Sequence, residues 1–90
     1  MDSIQISTAD LLFFKYRSTT PNLMEVVKDY FPHLSKAEAL RKAGDQAFPF
    51  SVFKLDKSKR APYLVHINEL AKVLEDEYEK ASNDYTKLHQ

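Results

Sequence analysis

The chain contains no cysteine and no tryptophan. The first absence removes disulfides, thiolate metal sites and cysteine nucleophiles together. Only one glycine, Gly44, is present, so no glycine-rich loop can wrap a phosphate. No apolar run approaches the roughly 20 residues of a membrane-spanning helix. The start, MDSIQISTAD, has no basic stretch followed by an apolar one, so no secretory signal is expected and the expected location is cytoplasmic, at the nucleoid of a bacterial or phage-infected cell. His33, His66 and His89 are scattered without the spacing of metal ligands. No metal, cofactor, small-molecule substrate or catalytic residue is expected. The acidic run Glu75, Asp76, Glu77 and Glu79 has the character of a solvated helix face.

What is present is ordinary in amount and uneven in distribution. Ninety residues, 43% hydrophobic and 29% charged, suit one small globular domain. The expected division is a domain over 1–82 and a helix extension or frayed tail over 83–90. Thirteen cations balance thirteen acids overall. Residues 35–66 nevertheless hold seven cations against Glu38, Asp45 and Asp56, whereas residues 67–90 hold three against six acids. A polyanion responds to the local field and not to the sum.

Local patterns predict four helices and a hairpin. Residues 1–5 carry no pattern and are expected to fray. Ser7 or Thr8 caps a first helix ending near Tyr16; Leu11, Leu12, Phe13 and Phe14 make it apolar nearly all round, so burial on more than one side is expected. Thr20 is placed as the cap of a second helix with Pro21 at its first position, running to about Tyr30. Pro32 stops it. Ser35 caps a third helix, Lys36 to Ala43, with Glu38 completing a capping box and Gly44 as the left-handed terminal residue. Its inward stripe is read as Ala37, Leu40 and Ala43/Gly44. Phe48 to Leu55 and Tyr63 to His66 read as two strands, with Phe48, Phe50 and Val52 on one face and Phe53 and Leu55 on the other. From Ile67 a last helix begins, capped by Asn68. Its apolar positions Ala71, Leu74, Tyr78, Ala81, Tyr85 and Leu88 alternate by three and four, a short heptad seam.

Two short helices joined by a tight turn and followed by a basic hairpin match a winged helix-turn-helix: an α+β fold, mainly α, with a two-stranded β-hairpin wing and a C-terminal helix. A helix of this kind fits the DNA major groove. Lys36, Ala39, Arg41 and Lys42 are then the outward residues of the recognition helix, with Arg41 or Lys42 to guanine and Ala39 to a thymine methyl. Lys54, Lys57, Ser58, Lys59 and Arg60 are the wing residues, for the phosphate backbone or the minor groove. The expected partner is double-stranded DNA. A homodimer or cooperative oligomer is expected through Leu74, Tyr78, Ala81, Tyr85 and Leu88.

The order Pro21-Asn22-Leu23-Met24-Glu25-Val26-Val27, Tyr30-Phe31-Pro32-His33-Leu34-Ser35, Arg41-Lys42-Ala43-Gly44, Phe48 to Leu55, Ser58-Lys59-Arg60-Ala61-Pro62 and Val65 to Ala71 resembles the pyocin activator protein family. These are small transcription regulators linked to phage and bacteriocin genes. The resemblance covers about residues 8–80. It implies a DNA-binding activator, related in architecture to excisionase-like winged helices, with Arg41 and Lys42 as recognition-helix cations and Ser58, Lys59 and Arg60 in the wing. Residues 82–90 depart from the pattern and inherit nothing. Two alternatives stay open: an excisionase-like architectural protein that coats and bends DNA, and a protein-interaction module working through the acidic last helix.

Overall fold

In the computed structural model, which describes residues 5–89, four helices surround one small hairpin: α1 (Thr8–Tyr16), α2 (Leu23–Tyr30), α3 (Lys36–Gly44), β1 (Val52–Phe53), β2 (Leu64–Val65) and α4 (Ile67–Leu88). The fold is α+β and mainly helical. Most of the expected frayed start, residues 1–4, lies outside the described residues, as does Gln90.

Local chemistry sets most of the helix starts. Ser7 and Asp10 form a capping box on α1, and Ser35 and Glu38 form a second on α3. The backbone N–H of Ser35 donates to the Glu38 carboxylate at 2.9 Å and holds its pKa below the usual carboxylate range. Two caps differ from expectation. Asn22, not Thr20, caps α2, its side chain accepting from Met24 N–H at 2.8 Å. His66, not Asn68, caps α4, with Nδ1 accepting the Asn68 N–H at 3.1 Å. Pro21 therefore precedes α2 and is buried, its carbonyl accepting from Val65 N–H at 3.0 Å.

That bond belongs to a ladder that local patterns did not reveal. β1 and β2 pair antiparallel, Val52 with Val65 and Phe53 with Leu64. The other edge of β2 bonds the α1–α2 connection: Leu23 N–H to Tyr63 O at 2.8 Å, and Ile67 N–H to Thr19 O at 2.9 Å. The strands are shorter than predicted. Pro49 has no N–H to donate, and Phe48 and Phe50 both turn inward, their rings stacked at 5.4 Å. The predicted face of Phe48, Phe50 and Val52 is buried; on the other side Phe53 is half-buried and Leu55 is 85% exposed.

The α3 terminus also departs from expectation. Gly44 is helical, and Gln46 takes the left-handed conformation at φ 52°. Ala47 N–H reaches Lys42 O at 2.9 Å, closing the turn. The Gln46 amide donates to Val52 O at 3.1 Å, so a side chain that costs backbone strain also ties α3 to β1.

The core is formed by Leu23, Val26 and Val27 of α2, Ala39 and Ala43 of α3, the Phe48/Phe50 pair, Val65, and Ile67, Leu70 and Ala71 of α4. Phe31 packs edge-on against Phe48 at 5.3 Å. α1 buries only Leu12 fully, with Ala9 and Tyr16 packed half-buried against the core; Leu11, Phe13 and Phe14 are exposed, against the expectation of burial on more than one side. α1 lies on α4 and is held by polar contacts at its two ends. The Thr8 hydroxyl donates to Glu75 at 3.0 Å, and the Tyr16 hydroxyl donates to Asp29 Oδ2 at 2.7 Å, with Lys15 Nζ 3.4 Å from the same oxygen. Burial first, then the Asp29 carboxylate, pushes the Tyr16 hydroxyl pKa up; the Tyr16 bond and Lys15 hold Asp29 down.

Leu70→Ala is expected to destabilise by about 2–5 kcal/mol, as for other fully buried leucines, whereas Leu55→Ala should stay within about 0.5 kcal/mol; urea unfolding of both variants checks this. Asp29 and Glu38 have folded pKa values depressed below their unfolded ones. Their contribution to stability is therefore full above the ordinary carboxylate range and is lost as pH falls through the folded values. Asp29→Asn should lower the urea midpoint at neutral pH and flatten its decline towards acid; an unchanged acid limb would exclude Asp29 as a contributor.

Candidate nucleic-acid interface

The basic middle third folds into two neighbouring pieces, α3 and the β1–β2 connection. Between them and the start of α2 lies a cleft of about 410 Å³. Lys36 enters from the first turn of α3, and Lys54, Lys59 and Arg60 from the hairpin. No acidic residue lines it. Its floor is apolar, formed by Met24, Leu40, Pro62 and Tyr63 among others.

Each cation is positioned by the backbone that carries it. The α3 capping box fixes the helix start and so the place of Lys36. The hairpin tip is organised by its own polar groups. Ser58 N–H donates to Asp56 Oδ1 at 3.2 Å, Arg60 N–H donates to Ser58 Oγ at 3.1 Å, and Ala61 N–H donates to Ser58 O at 3.1 Å. These are Asx- and Ser-type turns, in which a short polar side chain replaces a backbone partner. Lys54 Nζ donates to Ser58 O at 3.3 Å and lies 4.6 Å from the Tyr63 ring centroid, a cation–π contact that holds the ammonium at the cleft wall. Within this tip Ser58 is an internal strut, and Asp56 is turned to the backbone.

The expected residues separate into three groups. Lys36, Lys54, Lys59 and Arg60 converge on the cleft. Arg41 is exposed on α3 and Lys57 and Ser58 on the tip, outside the cleft lining; Lys42 is half-buried with its Nζ 5.5 Å over the Phe48 ring, also outside it. Ala39 is a correction: expected outward against a thymine methyl, it is fully buried beside Ala43. The helix is rotated about its axis from the expected phase. The pair Ala39/Ala43, four residues apart, lets the backbone approach the core closely, and Leu40 is instead 40% exposed at the cleft. Local sequence contains the signal for Leu40 only as an alternative phase, since alanine and leucine stripes compete. Met24 and Tyr63 reach the site through tertiary contacts and had no local signal.

In the C-terminal seam, Leu74 is half-buried against the core, whereas Tyr78, Ala81, Tyr85 and Leu88 are exposed. Among the described residues no group of three His, Asp or Glu side chains is placed to hold a metal ion, and no helix is long and apolar enough to cross a membrane.

Residues 8–81 match the family described as Pyocin activator protein PrtN. No curated protein and no solved structure matches the chain. The match begins at the first residue of α1 and ends within α4, so it takes in five elements whole and the greater part of the sixth. The family is one of regulatory activators and not of enzymes. The chain belongs to the pyocin activator protein family.

Proposed function

We propose that the chain is a sequence-specific DNA-binding regulator of phage or pyocin-type genes, built as a winged helix-turn-helix and acting as an activator. In this reading residues 1–82 form the DNA-binding body and 83–90 extend its last helix. α3 enters the major groove, and the β1–β2 loop is the wing.

The observation that carries the reading is the convergence of Lys36, Lys54, Lys59 and Arg60 on one cleft free of acids. A helix in the major groove and a loop at the adjacent minor groove have one sugar–phosphate strand between them. That strand must cross the cleft between α3 and the loop, where the four cations meet it. Its sugars find the apolar floor, and its phosphates find ammonium and guanidinium groups. Such contacts give affinity and orientation without sequence choice. Choice falls to the exposed outer face of α3, where Arg41 is the residue suited to a bidentate bond with guanine. Lys42, packed over Phe48, is less free to reach a base edge.

Lys59→Ala/Arg60→Ala removes two phosphate contacts and should flatten the slope of log affinity against log salt by about two, nearly equally for specific and random duplexes. Arg41→Ala should instead cost about 1–3 kcal/mol on the specific site and relax preference at one base pair. Fluorescence anisotropy across a salt series reads both. Absence of duplex binding by the native chain at low salt would end this reading.

A further inference from the structure

Nine large hydrophobic side chains are exposed among the described residues, and seven of them lie on α1, the residue before its cap, and α4. Leu11, Phe13 and Phe14 are on α1, which nevertheless buries only Leu12. Ile6 stands just before the Ser7 cap. Tyr78, Tyr85 and Leu88 are on α4, where every residue from Glu75 to His89 is exposed. Only Leu40 and Leu55 fall elsewhere. None of the residues lining the basic cleft comes from α1 or α4.

The second half of α4 leaves the body as an arm. A 22-residue helix spans about 33 Å. The radius of gyration, 15.6 Å, exceeds the roughly 12 Å of a compact chain of this length. A short helix without packing is marginal in water, and this one carries its apolar residues at heptad spacing. Both features call for a helical surface to lie against.

We infer that the surface is supplied by a second copy of the chain: the α4 arm of each protomer lies on the exposed face of the other protomer's α1, in a two-fold exchange. Three observations select this occupant. The Thr8–Glu75 bond places the start of α1 where the exposed arm begins, and the Ile67–Thr19 bond returns the chain to the start of α4, so α1 runs antiparallel to α4. A dyad near Glu75 then carries each arm back along the partner's α1. At about 1.5 Å per residue the arm is long enough to cover α1 from end to end. Charge disfavours arm on arm and leaves α1 the less acidic surface. The arm bears Glu75, Asp76, Glu77, Glu79 and Asp84 against Lys80 and Lys87, so two arms side by side would set acid against acid, whereas α1 carries Lys15, which also pairs with Asp29, and Arg17 at its end against Asp10 alone in its first turn. The area is also sufficient. Seven large residues, 42% to 82% exposed, offer on the order of 700 Å² or more per protomer, near the roughly 800 Å² per partner of a stable interface. In such a pairing residue i meets j and j meets i, which closes the assembly at two.

Sedimentation of the full chain without DNA tests this independently of the DNA reading, since a dimer that ignores DNA would overturn that reading alone. The expected result is a doubling of mass with concentration. Phe14→Glu and Tyr85→Glu, both at exposed positions, should each weaken the dimer at least about tenfold with unchanged helix content by circular dichroism. Because the chain has no cysteine, a Phe14→Cys chain mixed with a Tyr85→Cys chain should oxidise mainly to the mixed disulfide. A monomer throughout the concentration range, an unchanged mass for either glutamate variant, or dominant Tyr85–Tyr85 crosslinking would overturn the exchange.

Discussion

Two residues of backbone, Leu64 and Val65, hold the architecture together because they are bonded on both edges. One edge meets β1; the other meets the connection between α1 and α2. Buried backbone N–H and C=O groups must be paired, and Val65 is fully buried, so this ladder is a constraint and not an ornament. It sets the start of α2 through the Leu23–Tyr63 bond and the start of α4 through the Ile67–Thr19 bond. It also fixes the base of the hairpin whose tip carries the cations. The sheet is minimal, yet three connections depend on it.

From that centre the two faces of the protein take different chemistry. On the side of α3 and the hairpin tip, alanines at 39 and 43 bring the helix down onto the core it shares with α2 and the Phe48/Phe50 pair, which leaves Lys36 and Leu40 at a cleft. On the side of α1 and α4, burial is thin and large apolar groups stay in water. The small core explains the asymmetry. A chain of this length buries a modest fraction of its surface, and α1 inserts only the narrow stripe Ala9, Leu12 and Tyr16, supplemented by hydroxyl–carboxylate contacts at its ends.

What could be read in advance follows from the range of each interaction. The capping box Ser35/Glu38 lies within one turn and was legible; so were the helix starting at Ile67 and the inward face of Phe48, Phe50 and Val52. The α2 cap was not, because Pro21 looks like a first helical residue until Val65 claims its carbonyl. The phase of α3 was ambiguous for a different reason: Ala37/Leu40 and Ala39/Ala43 are both plausible inward sets, and only packing into the folded core decides between them. α1 misled through composition. Four apolar residues in succession predict burial, and a lone chain has too little surface to provide it. For the candidate site, the cations were visible in the sequence as a segment excess, whereas their division between a cleft and an outer face required the hairpin tip to fold.

That tip has a thermodynamic consequence. Its turns are closed internally by Asp56 and Ser58, and Lys54 is already stacked on Tyr63. If the tip takes a phosphate strand as proposed, the loop has little conformational freedom left to surrender. Encounter need not wait for ordering, and the heat-capacity change should reflect dehydrated surface alone, without the large added signature of coupled folding. A basic segment of the same composition lacking these struts would carry the same charge yet meet its ligand more slowly and with a greater entropic penalty.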